Sequence, residues 1–159
     1  MNKENLRNQV ISQLESDHAL LLQAAKSAHA AATHEENIPD NKYETLGLEA
    51  SYIAQGQANR AQEILKAIQA FRNLNLPVFS DESLIRLTAL VQLEDKKGHR
   101  RTVFIGPAAG GLRLESDGGE VMVITPASPL GQGLIGRQCG DVIELESGAI
   151  REYEIISVG

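Results

Sequence analysis

The 159-residue chain is predicted to be an α+β protein, with an N-terminal antiparallel coiled-coil hairpin over residues 1–75 and a β-rich domain over 76–159. Three observations predict this. Residues 5–33 hold neither Gly nor Pro and repeat Leu14, Leu21 and Ala28 every seven positions, the period of a helix packed along a seam. Residues 42–73 space Ala50, Ala54, Ala58, Ala61, Leu65 and Ile68 by three or four, which puts them on one helical face. After "FRNLNLPVFS" the apolar residues fall in short runs divided by Gly, Pro, Asn and Asp, the pattern of strands and turns.

In the first helix Val10, Ala24 and Ala31 flank the seam and Asp17 interrupts it; in the second, Ile53, Ile64 and Phe71 broaden the stripe. A short Pro-containing connection folds such helices back on one another, each arm roughly 40–45 Å long at about 1.5 Å per residue. Large residues are expected to meet at the open end, Leu6, Val10, Ile11 and Leu14 against Ile64, Leu65, Ile68 and Phe71. Toward the connection the facing residues shrink to alanine and Gly47. Either a slender rod is wanted there, or alanine is present as the best helix former.

Strands are expected over 87–95, 101–106, 111–114, 120–125, 141–147 and 151–158, with "KKGHRR" (96–101) as a charged hairpin turn. "DESLIRL" (81–87) is read as one helical turn capped by Ser80 or Asp81. In "TPASPLGQGLIGRQCGD" (125–141), Ser128 before Pro129 is an N-cap with proline at the first helical position, and Gly136 fits the C-terminal stop. No Gly-Lys-Ser/Thr follows, so a phosphate-binding loop is excluded.

Composition narrows the function classes. The net charge is −6, with seven Lys+Arg against nine Asp+Glu before residue 76 and eight against twelve after it. Autonomous nucleic-acid binding usually shows a basic face, so any such work is expected to run through a partner. Aromatics are 4% with no Trp, which leaves no ladder for stacking bases. The single cysteine, Cys139, has its nearest His at 99 and reads as a neutral structural thiol rather than a nucleophile. A polar N-terminus and the lack of any 18-residue apolar run lead to the expectation of a cytoplasmic protein with no membrane partner.

The run "SPLGQGLIGRQCGDVIEL" (128–145) and the closing strand "YEIISV" (153–158) resemble the bacterial Gre family of transcript-cleavage factors. The layout, a helical hairpin with an acidic tip before a small β domain, is similar over essentially the whole chain. "KYETLGLEASYIAQGQANRA" (42–61) resembles a divergent Gre-like branch rather than GreA or GreB themselves. The resemblance implies an FKBP-like C-terminal domain that docks at the rim of the RNA polymerase secondary channel through Ser128, Pro129 and Leu130. It further implies that the coiled coil enters the channel and that tip carboxylates help hold a Mg²⁺ shared with the polymerase active centre. Backtracked nascent RNA is then hydrolysed near its 3′ end. The protein would be a monomeric cofactor of the polymerase, not an enzyme, with no cofactor bound in isolation.

The segment "HEENIPDNKYETLG" (34–47) carries Glu35, Glu36, Asp40 and Glu44. Family members carry an Asp and a Glu three positions apart at the tip with Ser between them. Here Asp40 and Glu44 stand four apart, around Lys42 and Tyr43, a spacing that still shares one helix face. These two are the expected catalytic and metal-holding acids, with Glu36 in reserve. The same residues also read as a helix start, Asn41 with Glu44 forming a capping-box pattern and Asp40 favouring the positive helix end. His34 lacks a second His at ligand spacing. Where family members often place an acid before Ser-Pro, this chain has Ala127. The rival readings are a channel-occupying regulator without cleavage, a proline isomerase lined by Phe79, Phe104 and Tyr153, and a coiled-coil scaffold.

Overall fold

The computed structural model describes residues 2–33 and 41–159. Two helices, α1 (Lys3–Thr33) and α2 (Asn41–Arg72), precede six strands and one short helix: β1 (Leu90–Asp95), β2 (Arg100–Ile105), β3 (Arg113–Ser116), β4 (Gly119–Ile124), α3 (Pro129–Leu134), β5 (Val142–Ser147) and β6 (Ala149–Val158). The protein is therefore α+β, a helical hairpin and a six-stranded sheet. It forms two compact units, Ile11–Gln69 and Met1–Val10 together with Ala70–Gly159. That division crosses both long helices, whereas the sequence places it in the link after residue 75. No helix among the described residues is long and apolar enough to cross a membrane.

In the hairpin unit Leu14, Ala25, Ala54, Ala61 and Ile68 are buried. On α2 the buried positions 54, 61 and 68 repeat every seven residues, the period of a coiled-coil seam. The seam is narrower than its sequence suggests. Leu65 is 44% and Ile53 56% exposed, and on α1 Ala25 is buried while Ala24 is exposed. Positions three or four apart share a broad face, but only those nearest its centre touch the neighbouring helix.

In the other unit the strand order is β3-β4-β2-β1-β6-β5, antiparallel except for the parallel pair β2–β4. Alternation along the strands sends Val91, Leu93, Val103, Ile105, Ile143 and Ile155 to one face, where they form a core with Leu130 and Leu134 of α3. Phe104, Val121 and Val123 belong to the opposite register and are also fully buried. A side chain added at Gly106 would meet the Phe71 ring at 2.9 Å and Val123 at 3.1 Å, so Phe71, at the end of α2, packs on that second face. Leu6 and Val10 are buried in the same unit.

The expected strand at 87 starts three residues later. Thr88 takes φ 75°, its N–H bonds the carbonyl of Ile105 at 2.8 Å, and its buried hydroxyl has no partner among the described residues. The ammonium of Lys3 donates to the carbonyls of Pro77, Thr88 (3.2 Å) and Gly159 (3.4 Å) and lies 4.5 Å from the Phe79 ring centre. Burial pushes its pKa down. The helical turn expected at 81–87 does not form. There Ser83 bonds Ser80, and Ile85 pairs with residues 136 and 137 across 2.8 and 2.7 Å. The carboxylate of Asp81 accepts from Val158 N–H at 3.0 Å instead.

Candidate functional site

Two regions carry the residues singled out from sequence. The first is the connection between α1, which ends at Thr33, and α2, which begins at Asn41. Glu35, Glu36 and Asp40, with His34, lie outside the described residues. Glu44 falls in the first turn of α2, but its side chain also lies outside them. Among the described residues no group of three or more His, Cys, Asp or Glu is placed to hold a metal ion.

The second region is the loop before α3, where each residue of "SPLG" has a physical task. Ser128 adopts an extended backbone (φ −66°, ψ 154°). Its hydroxyl donates to the Thr125 carbonyl at 2.7 Å and accepts from Gly131 N–H at 3.0 Å. One side chain thus closes the loop and caps the helix, a contribution of about 1 kcal/mol. Pro129, at the first helical position, has no N–H to leave unpaired and is exposed. Leu130 is 8% exposed, part of the core. At Gly131 a Cβ would stand 2.0 Å from the Thr125 carbonyl oxygen, so only glycine permits that approach. Of the three expected docking residues, then, Ser128 and Leu130 are engaged internally and Pro129 is presented outward.

The helix stops where Ile135 bonds the Gly131 carbonyl, and Gly136 follows at φ 84°, the left-handed turn that glycine takes without strain. Gly136 N–H then bonds the Ile85 carbonyl at 2.8 Å. This pairing lays the 84–88 segment beside the end of α3 and leaves Leu84 and Ile135 59% and 39% exposed. The sequence signalled Ile135 only as part of a helix. Nothing in it marked Leu84, because the pairing joins segments about fifty residues apart.

Other candidates are placed plainly. Cys139 is half-buried and its thiol donates to the Ile156 carbonyl at 3.0 Å. Burial first, then the charges of Asp81 and Glu154, push its pKa up, away from a reactive thiolate. Phe79 and Tyr153 line separate cavities and Phe104 is fully buried, so these rings do not converge on one proline pocket.

The decisive comparison concerns this second region. The family profile described as "Transcription elongation factor, GreA/GreB, C-term" matches residues 80–159. The chain belongs to the GreA/GreB family. No curated protein matches it. Among solved structures, this GreA/GreB family member is similar to the transcription factor Gfh1 (26% identity, 96% of this chain and 92% of that chain, TM-score 0.41). It is also similar to GreA factor homolog 1 of Thermus thermophilus (24% identity, 96% and 94%, TM-score 0.39). A third is the elongation factor GreA/GreB of Nitrosomonas europaea (14% identity, 72% and 91%, TM-score 0.37). Family membership rests on residues 80–159. In this chain "SPLG" (128–131) turns strand β4 into α3.

Proposed function

We propose that this Gre-family chain binds RNA polymerase, inserts its helical hairpin into the secondary channel and stimulates the polymerase's own hydrolysis of backtracked nascent RNA. The observation that carries this reading is the union, in one chain, of a GreA/GreB C-terminal domain with a hairpin of 31- and 32-residue helices. At about 1.5 Å rise per residue each arm is roughly 46 Å long, and four carboxylates stand at or beside the connection. An acidic protein reaches RNA in this arrangement because the polymerase, not the factor, supplies the attraction.

Asp40 and Glu44, with Glu36 in reserve, are the residues that would face the active centre. Carboxylate oxygens are the hard donors that Mg²⁺ accepts while keeping most of its waters. A Mg²⁺ shared with the polymerase would supply activation of water and stabilisation of the leaving oxygen. Pro129, held outward by the Ser128 cap and the Leu130 anchor, is the docking residue of the β domain. The protein acts as a cytoplasmic, monomeric cofactor.

The four-residue spacing of Asp40 and Glu44 around Lys42 and Tyr43 favours a second reading, channel occupancy without cleavage. A stalled, backtracked elongation complex with the cognate polymerase separates the two. Shortened RNA with the wild type and none with Asp40→Ala/Glu44→Ala supports metal work by the tip. Should neither cleave while both displace an active Gre factor, the occupancy reading stands and the cleavage reading falls. If neither protein binds the polymerase, both readings fail.

A further inference from the structure

The "KKGHRR" turn is left unused by the reading above, yet the fold turns it into a site. Lys96, Lys97, Arg100 and Arg101 surround a cleft of about 540 Å³ together with Arg151 of β6. Five of the chain's fifteen Lys and Arg thus stand at one end of the sheet in a protein of net charge −6. Arg100 and Arg101 also line a neighbouring cleft with Arg113, so the basic band continues across β2 toward β3.

The local acids are spent on fixing this geometry rather than on neutralising it. Asp95 accepts from the backbone N–H of Lys97 at 2.8 Å and of His99 at 2.9 Å, while its other oxygen meets the His99 ring at 3.2 Å. These bonds tighten the turn, which Gly98 closes at φ 83°, and the hydrogen bond from His99 N–H leads in holding the Asp95 carboxyl below its ordinary pKa. Glu94 holds Arg100 at 2.9 Å and Glu152 holds Lys96 at 3.2 Å. Lys97, Arg101 and Arg151 have no carboxylate partner among the described residues. Arg101 lies 5.8 Å from the Tyr153 ring centre. A guanidinium in such a cation–π contact keeps N–H groups that match phosphate oxygens.

The lining also says what does not bind. Tyr153 is 7% exposed and offers little of its face to a base, which leaves the His99 imidazole, tied to Asp95 at 3.2 Å, as the exposed ring of the cleft. Recognition would rest chiefly on phosphate charge and geometry. The cleft is within the size range of small-ligand sites. We propose that it binds a compact oligophosphate anion, either free pyrophosphate or tripolyphosphate or the phosphate tail of a nucleoside triphosphate, through Lys97, Arg101 and Arg151.

The test is titration calorimetry on the full chain with tripolyphosphate, ATP, GTP and AMP, repeated with Lys97→Ala/Arg151→Gln. Both substituted residues are exposed and outside the core, and an unchanged circular dichroism spectrum checks folding. Binding of tripolyphosphate is expected at about millimolar or tighter, weakening as salt rises. AMP and the double variant should each bind about tenfold more weakly. Equal affinity for tripolyphosphate, ATP and GTP identifies the phosphate tail as the whole ligand, and tighter nucleotide binding identifies a nucleotide as the source. No heat with tripolyphosphate, or undiminished affinity in the double variant, overturns the proposal. Because no polymerase is present, failure here is distinct from failure of the cleavage reading.

Discussion

The sheet and the hairpin stem are stabilised by different means. In the sheet the buried positions are large: Phe104, Leu93, Ile105, Val103 and Ile155 are all fully buried, and each such side chain contributes about 1.5–3 kcal/mol of burial. In the stem, three of the five positions buried among the described residues, Ala25, Ala54 and Ala61, offer a single methyl group. What the stem lacks in burial it partly recovers through helix propensity, since alanine is the best helix former. The sheet is thus specified by packing, and the stem by local preference along a thin seam.

The largest expected effect tests that contrast directly. Phe104→Ala should lower stability by about 4 kcal/mol in urea unfolding, from lost burial and the cavity left behind. Ala61→Gly should cost only about 1 kcal/mol, the propensity difference; comparable losses for the two would break the comparison. Next comes Gly131→Ala, expected to cost about 3 kcal/mol, because the new methyl would stand 2.0 Å from the Thr125 carbonyl. A near-neutral result would show that β4 and α3 can part without penalty.

Within the stem, Ile68→Ala should cost about 2 kcal/mol and Leu65→Ala under about 0.5 kcal/mol, since Ile68 is 2% and Leu65 44% exposed. Equal losses would widen the seam to what the three-and-four spacing suggested. The smallest effect belongs to Asp95. Its carboxyl is expected to titrate below the ordinary 3.8 in an NMR experiment. A depressed folded pKa contributes stability above the unfolded pKa, and that contribution fades as pH falls through the folded value. Asp95→Asn should therefore lower the urea midpoint slightly at neutral pH and flatten its acid limb, the difference from wild type fading as pH falls below about 4.

Much of this could be read in the sequence. The helices expected at 5–33 and 42–73 are observed at Lys3–Thr33 and Asn41–Arg72, because long breaker-free periodic runs are dictated locally. The Ser128 cap, Pro129 at the helix start and the six strands follow from equally local chemistry. Where reading fell short, a distant partner decided. "DESLIRL" has the composition of a helical turn, but Ile85 finds backbone partners at 136 and 137. Leu87 and Thr88 look like strand, but a positive φ at Thr88 delays the strand to Leu90.

By itself the sequence determined the order and type of elements, the acidic cluster between the helices and the Gre-like Ser-Pro-Leu-Gly signature. These depend on neighbours within a few positions, where propensity, capping and periodicity act. Tertiary structure alone decided that Leu130 is core while Pro129 faces out, and that Gly131 is required by a carbonyl six residues earlier. It also decided that "KKGHRR" meets Arg151 across the sheet to make one basic cleft. Those outcomes depend on which strands lie side by side, and strand pairing brings together charges and backbones that the linear chain holds far apart.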